Sequence, residues 1–98
     1  MASGTTPAPE VRSGVLTCTF NDLMDYGNGI FVLNPPNSDP NKPTSNAWWM
    51  VLQFKAYASG AWYLAQFAVN TASSLEYFMR KRRGDSVGWT AWSKLTFS

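Results

Sequence analysis

With 98 residues the chain is long enough for one domain, and its 45% of hydrophobic residues exclude disorder throughout. Charged residues make up only 14%, below the roughly 25% of ordinary soluble domains, and 15% are aromatic. Such a composition favours a surface that is hidden in an oligomer or used for contact. The net charge of +2 and the absence of histidine exclude a strongly basic nucleic-acid binder, a histidine-based catalytic relay and a histidine metal site.

The first part of the chain predicts a leader, a strand and a helical turn. Residues 1–13 are rich in Pro, Ser and Thr and have little to bury, so we expect a flexible leader or a connector, followed by a folded body over 14–98. Gly14 to Phe20 is rich in β-branched and aromatic residues, which predicts the first strand. Asn21 is a good N-cap, and Asp22 to Tyr26 predicts one helical turn.

A long breaker segment follows the extended run Ile30–Leu33. Asn34 to Asn46 contains four prolines and four asparagines in 13 residues, which excludes regular structure. A loop of this length in a small domain is usually either functional or disordered. Of these two alternatives we expect the functional one, an ordered loop displayed on the surface.

The second half of the chain predicts one strand after another. Period-two alternation runs from Trp48 to Lys55, from Trp62 to Val69 and from Leu75 to Arg80. Both faces of the middle strands are apolar, although one face of a lone antiparallel sheet should be wet. We therefore predict an all-β fold, a small antiparallel β knob or sandwich with one short helical turn, whose strands are covered by a second layer or by another subunit.

The acidic residues and the cysteine do not form a catalytic or metal-binding pattern. Asp22 and Asp25 are the closely spaced acids, and they fit the start of a helical turn better than an acid–base pair. Cys18 is expected to be a small buried hydrophobic residue. We expect no enzyme activity, no cofactor and no metal. The longest apolar run, Ala47–Leu52, is far shorter than the ~18–20 residues of a membrane helix, so no membrane insertion is expected.

Tryptophans and one basic run supply the candidate contact residues. Trp48 and Trp49 point to opposite sides of a strand, so one of them should face a subunit interface or a ligand groove, where indole rings can stack on sugars. Arg80 and Arg82 share a face and predict either a solvated strand end or a site for sulfate, phosphate or an acidic sugar. The candidate ligand-binding residues are Trp48, Trp49, Trp62, Tyr63, Arg80 and Arg82.

The predicted core depends on how the closing segment is buried. Alternation places Trp92 on the opposite face from Trp89, so both can be buried only where two layers or two subunits meet. The predicted core residues are Phe31, Leu52, Phe54, Tyr77, Trp89 and Trp92.

The closing residues also resemble a known family. Gly88 to Leu95 reads G-W-T-A-W-S-K-L and resembles the W-x-x-W-x-K-L/I signature of the pyocin knob-like domain, which occurs in tail fibres of bacteriophages and of phage-tail-like bacteriocins. Further resemblances follow in order: Asn21-Asp22-Leu23 to the opening turn, Gly29-Ile30-Phe31 to a strand start, Gln66 to a central-strand glutamine, and Tyr77 to Arg80 to an aromatic-plus-arginine strand.

The resemblance implies a β-rich knob, usually trimeric and without catalytic residues, near the tip of a fibre that binds cell-surface polysaccharide. We therefore expect a homotrimer in the virion, made in the host cytoplasm, with other virion or tail-fibre proteins and bacterial surface polysaccharide as partners and no nucleic acid. Two alternatives stay open. One is a virion decoration or head-fibre protein on the same knob, and the other is a carbohydrate-binding β-sandwich module attached to an enzyme.

Overall fold

The computed structural model describes residues 10–71, 76–83 and 88–96, without the side chains of 10–13 and 83. Of the predicted features, residues 1–9 of the leader and the turns at 72–75 and 84–87 lie outside the described residues. The described chain forms one six-stranded sheet in sequential strand order. The strands are β1 (Glu10–Leu16), β2 (Gly29–Leu33), β3 (Trp49–Ala58), β4 (Ala61–Asn70), β5 (Tyr77–Arg83) and β6 (Ser93–Leu95).

The all-β prediction is confirmed, with a difference at one edge of the sheet. β2 to β6 pair antiparallel, whereas β1 pairs parallel with β2, so the sheet is mixed. β1 begins at Glu10, four residues before the predicted strand start, and ends at Leu16. A parallel neighbour requires a crossover of about a dozen residues. Residues 17–28 supply it and contain the predicted helical turn, a 3₁₀ turn at Asp22–Tyr26.

The β3–β4 hairpin sets the register of the two longest strands. Ser59 and Gly60 form its two-residue loop, and both have positive φ, 53° and 81°, as type I′ hairpin turns require. The resulting register places Lys55 opposite Leu64. No described helix is long and apolar enough to cross a membrane.

One face of the sheet, called the inner face below, is covered by connecting segments of the chain. Phe20 and Leu23 of the crossover are fully buried there. The core is completed by Phe31, Leu33, Trp49, Val51, Ala68 and Phe78, with Leu16, Cys18 and Trp92 packed against it. The described residues form no second sheet, so the predicted sandwich is wrong for the single chain. The crossover and the loop after β2 supply the second layer.

The proline-rich loop forms part of this cover. Pro35 is buried, and Asp39 is only 5% exposed. The Asp39 carboxylate accepts hydrogen bonds from the backbone N–H groups of Phe20 and Asn41, both at 2.9 Å. The loop is therefore held against the crossover, and the predicted display on the surface is wrong for these two buried residues.

The opposite face, called the outer face, is apolar and open. Its exposed members include Met50 (44% exposed), Phe54 (49%) and Met79 (40%). Leu52, Phe54 and Tyr77 were predicted for the core, and the structure places all three on this face instead. Alternation alone could not identify the buried side, because both sides of β3 are apolar. The outer-face apolar side chains are Val15, Ile30, Val32, Met50, Leu52, Phe54, Ala65, Phe67, Val69, Tyr77, Met79 and Leu95.

The packing of the crossover gives a first prediction. Leu23→Ala should lower the free energy of unfolding by about 2–5 kcal/mol, because Leu23 is fully buried beneath the 3₁₀ turn. Asp25→Ala is the matched control on the exposed side of the same turn and should change it by at most about 0.5 kcal/mol. Urea denaturation at one protein concentration measures both, and equal midpoints for the two variants would contradict the observed packing.

Candidate functional site

Three long polar side chains form a row across the inner face. Strand register places Gln53, Gln66 and Arg80 side by side on β3, β4 and β5. Gln66 Nε2 donates to Gln53 Oε1 at 2.9 Å, and Arg80 Nε donates to Gln66 Oε1 at 2.8 Å. All three side chains are at most 3% exposed. We call this row the polar ladder.

The polar ladder binds the backbone of the crossover. Gln53 Nε2 donates to the carbonyl oxygens of Leu23 and Gly27, at 2.8 and 2.7 Å. Gln66 Nε2 donates to the Phe20 carbonyl oxygen at 3.0 Å, in addition to its bond within the ladder. Each amide nitrogen thus makes two hydrogen bonds, as many as it has hydrogens. The glutamines thereby satisfy the carbonyl groups of the buried residues Phe20 and Leu23 and of the partly buried Gly27.

Arg80 closes the ladder inside an aromatic cage. Its guanidinium carbon lies 4.0 Å from the ring centroid of Trp89 and 4.7 Å from that of Trp92. Its Nη2 donates to Asn21 Oδ1 at 3.0 Å. Both indoles contact the same guanidinium, so the prediction that they lie on opposite faces is wrong. Strand alternation does not apply to them, since they precede β6 in a segment without regular structure.

The burial of Arg80 makes it a structural cation. Desolvation lowers its pKa to about 10, with a raising contribution from Asp39 and a further lowering from the positive charge of Arg82. At 3% exposure Arg80 cannot contact a ligand from solution, so its assignment as a ligand-binding residue is wrong. The alternative prediction, that Arg80 lies at a solvated strand end, is wrong for the same reason.

A small cleft opens at the hairpin end of the inner face, beyond the edge of the crossover. Its volume is about 190 Å³. The cleft is formed where Lys55, Leu64 and Arg82 lie on three neighbouring strands in register. We call it the basic cleft. It is lined by Met24, Lys55, Trp62, Leu64 and Arg82.

Two cations in the basic cleft lack neutralising partners among the described residues. Lys55 Nζ donates to the Met24 carbonyl oxygen at 2.9 Å and lies 5.0 Å from the Trp62 ring centroid. Arg82 Nη1 contacts Met24 Sδ at 3.8 Å, and Arg82 Nε is buried without a hydrogen-bond partner. The ion pair found among the described residues joins Lys94 to Glu76, at 3.2 Å, and involves neither cleft cation.

The structure divides the sequence-predicted contact residues. Trp62 and Arg82 come together in the basic cleft. Tyr63 is 41% exposed on the outer face, and Trp48 is 46% exposed just before β3. Trp49 is fully buried, and its Nε1 donates to the Asn46 carbonyl oxygen at 3.0 Å, so its assignment as a ligand-binding residue is wrong. Of the adjacent tryptophans, one does face away from the core, as predicted, and it is Trp48.

Sequence reasoning missed Lys55, Met24 and Leu64. Lys55 could have been found, because a two-residue turn at Ser59-Gly60 fixes the hairpin register and puts Lys55 opposite Leu64. Met24 could not, because the crossover brings it to the cleft from a distant part of the chain.

Among the described residues, no three His, Cys, Asp or Glu side chains are grouped so that they could hold a metal ion. Burial, followed by the negative charge of Asp22, raises the pKa of the Cys18 thiol, which disfavours the reactive thiolate.

Comparisons with family models, with curated proteins and with solved structures found no match to this chain.

The polar ladder gives a second prediction. Arg80→Met should lower the free energy of unfolding by about 2–4 kcal/mol, because Gln66 Oε1 and Asn21 Oδ1 both lose their donor. Lys42→Met also replaces a basic side chain by methionine, but outside the core, and should alter the free energy of unfolding by no more than about 0.5 kcal/mol. Thermal and urea denaturation report the difference, and an Arg80→Met protein as stable as the parent would show that the ladder adds nothing.

The cage gives a third prediction. Trp92→Ala should lower the free energy of unfolding by about 3 kcal/mol. The Trp92 ring centroid lies 5.2 Å from that of Phe20, and Trp92 Nε1 donates to the Asn41 carbonyl oxygen at 2.7 Å. Trp48→Ala removes an equally large but half-exposed ring and should lower the melting temperature far less. If both variants melt within a few degrees of the parent, Trp92 does not stabilise the core.

Proposed function

We propose that this protein is a non-enzymatic attachment module that acts as a homotrimer, a knob of a bacteriophage tail fibre that contacts the host surface. The observation that carries the proposal is the open apolar outer face. The resemblance of Gly88 to Leu95 and of the earlier pieces to pyocin knob-like domains supports the same assignment. In this proposal the protein lies in the virion, with other fibre proteins as neighbours.

The outer face has the composition of an interface. Its aromatic and methionine side chains include Phe54, Met50 and Met79, which are 40–49% exposed in the single chain. Along β2 to β5 its one charged side chain, among those described, is Lys81. Depletion of charge together with enrichment of aromatic residues and methionine is typical of interface cores.

The occupant that fits this face is a second and third copy of the same chain. The described side chains of this face offer little charge for a charged partner to complement, whereas its apolar side chains can pack against those of another copy. The inner face is already covered by the chain's own crossover and loop. Three copies around a threefold axis would turn all three outer faces toward the axis and bury them together.

Such a trimer keeps the basic cleft accessible. Lys55 and Trp62 belong to the inner-face side of β3 and β4, so they point away from the outer face. Three clefts on one rigid trimer would act together on a repetitive surface, where linked weak sites gain avidity. A virion decoration or head-fibre protein would use the same trimer.

The basic cleft by itself also favours a second candidate, a carbohydrate-binding module attached to an enzyme. Such a module needs the cleft but does not need the trimer. The oligomeric state therefore separates the two candidates.

The fourth prediction concerns assembly. In dilute solution the protein should have three times the 10.9 kDa mass of the chain. Phe54→Lys should yield monomers, because three buried ammonium groups would meet at the interface. Tyr57→Lys is the matched control, an aromatic residue that is 59% exposed on the same strand but on the opposite side. Light scattering at micromolar concentration measures all three proteins.

A monomeric parent would overturn the trimer and favour the carbohydrate-binding module. Monomers from both lysine variants would also contradict the outer face as the interface, because the control lies on the other side of the sheet.

A further inference from the structure

We infer that the basic cleft binds one carboxylate-bearing sugar ring of an acidic polysaccharide, an inference that rests on the proposed attachment function. The cleft combines two cations, an exposed indole and an apolar base within a space of single-ring size. Lys55 and Leu64 also contribute to the fold, through the bond to the Met24 carbonyl oxygen and through burial. The half-exposed Trp62 ring lies outside the core cluster.

The volume limits the ligand to a small ring. Sites for drug-sized ligands typically enclose about 300–1,000 Å³, and the basic cleft encloses about 190 Å³. A longer saccharide would therefore place one residue in the cleft and leave its neighbours on the surface.

The donors of the cleft exceed its acceptors. Lys55 Nζ has three hydrogens, and one is used by the Met24 carbonyl oxygen. Arg82 Nε is buried and has no hydrogen-bond partner, so the described chain leaves this guanidinium incompletely satisfied. Among the described residues no carboxylate pairs with either cation. A ligand carboxylate would satisfy both with charge-assisted hydrogen bonds.

The apolar side of the cleft favours a sugar ring over a small inorganic anion. Trp62 is 45% exposed, and the negative face of an indole attracts the polarised C–H groups of a pyranose. Lys55 Nζ lies 5.0 Å from the centre of that ring. A uronic acid has its carboxylate directly on the sugar ring, so one residue can contact the indole and the ammonium together. Phosphate would leave Trp62 and Leu64 without a contact.

The inference is tested by titrating the 98-residue chain with galacturonate oligosaccharide, with its methyl ester, with inorganic phosphate and with a single-stranded oligonucleotide. Calorimetry should show the free acid binding about tenfold more tightly than the ester, which has the same rings without charge. The affinity for the acid should also fall as salt rises, because the cleft is open to solvent. Phosphate and the oligonucleotide should bind more weakly than the acid.

Substitutions locate the binding. Arg82→Gln and Trp62→Ala should each weaken binding of the acid about fivefold. Lys42→Gln and Trp48→Ala match them in charge and in ring exposure outside the cleft, and should leave the affinity unchanged. Light scattering on each variant checks that the assembly is intact.

The outcomes are distinguishable. Equal binding of acid and ester, tighter binding of phosphate or of the oligonucleotide, or unchanged affinity in Arg82→Gln and Trp62→Ala would overturn the inference. A trimer that does not bind the acid overturns the cleft assignment but leaves the knob, whereas a monomer that binds it overturns the trimeric knob and supports the cleft.

Discussion

The structure depends on the burial of the crossover backbone between β1 and β2. Carbonyl groups in this segment lose water when Phe20 and Leu23 enter the core, and each unsatisfied group would cost roughly 1–3 kcal/mol. Gln53 and Gln66 supply the missing donors from the middle of the sheet, at 2.7 to 3.0 Å. The polar ladder therefore allows an irregular segment to act as the second layer of a β fold. Without the ladder, burying this irregular segment on the inner face would leave its carbonyl groups unsatisfied and would lower the free energy of unfolding.

The position of the crossover determines which surfaces remain open. It covers the inner face along the ladder, and its residue Met24 lines one side of the basic cleft. The hairpin end of β3 and β4 supplies the other lining residues, together with Arg82 of β5. The outer face receives no connecting segment from the described chain. This apolar face is exposed in the single chain. In the proposed trimer it would be buried, and the cleft on the opposite side would stay accessible.

Arg80 and Arg82 lie on the same face of β5 but differ in burial, because the segments that cover the inner face extend over Arg80 and end near Arg82. Arg80 lies beneath the cover, between Trp89 and Trp92, where burial lowers its pKa to about 10 and every contact is structural. Arg82 is two residues further, at the edge of the cover, and its Nε has no partner. The sequence predicts the shared face of the pair. It does not predict that one arginine belongs to the core and the other to a possible ligand site.

The sequence by itself determined the elements with local physical causes, which are the alternation of β3, β4 and β5 and the helical turn at Asp22–Tyr26, although Asn21 makes no side-chain capping bond. It also indicated that both faces of the middle strands are apolar. Trp62 and Arg82 of the candidate site were also within its reach. Only the tertiary structure decided which sheet face is inner, because both faces are apolar and the buried face contains the glutamines. Gln53 and Gln66 are buried because they bond carbonyl groups 30 and 46 residues away. These hydrogen-bond partners come together only through the chain topology, so neither the periodicity nor the composition of the sequence predicts them.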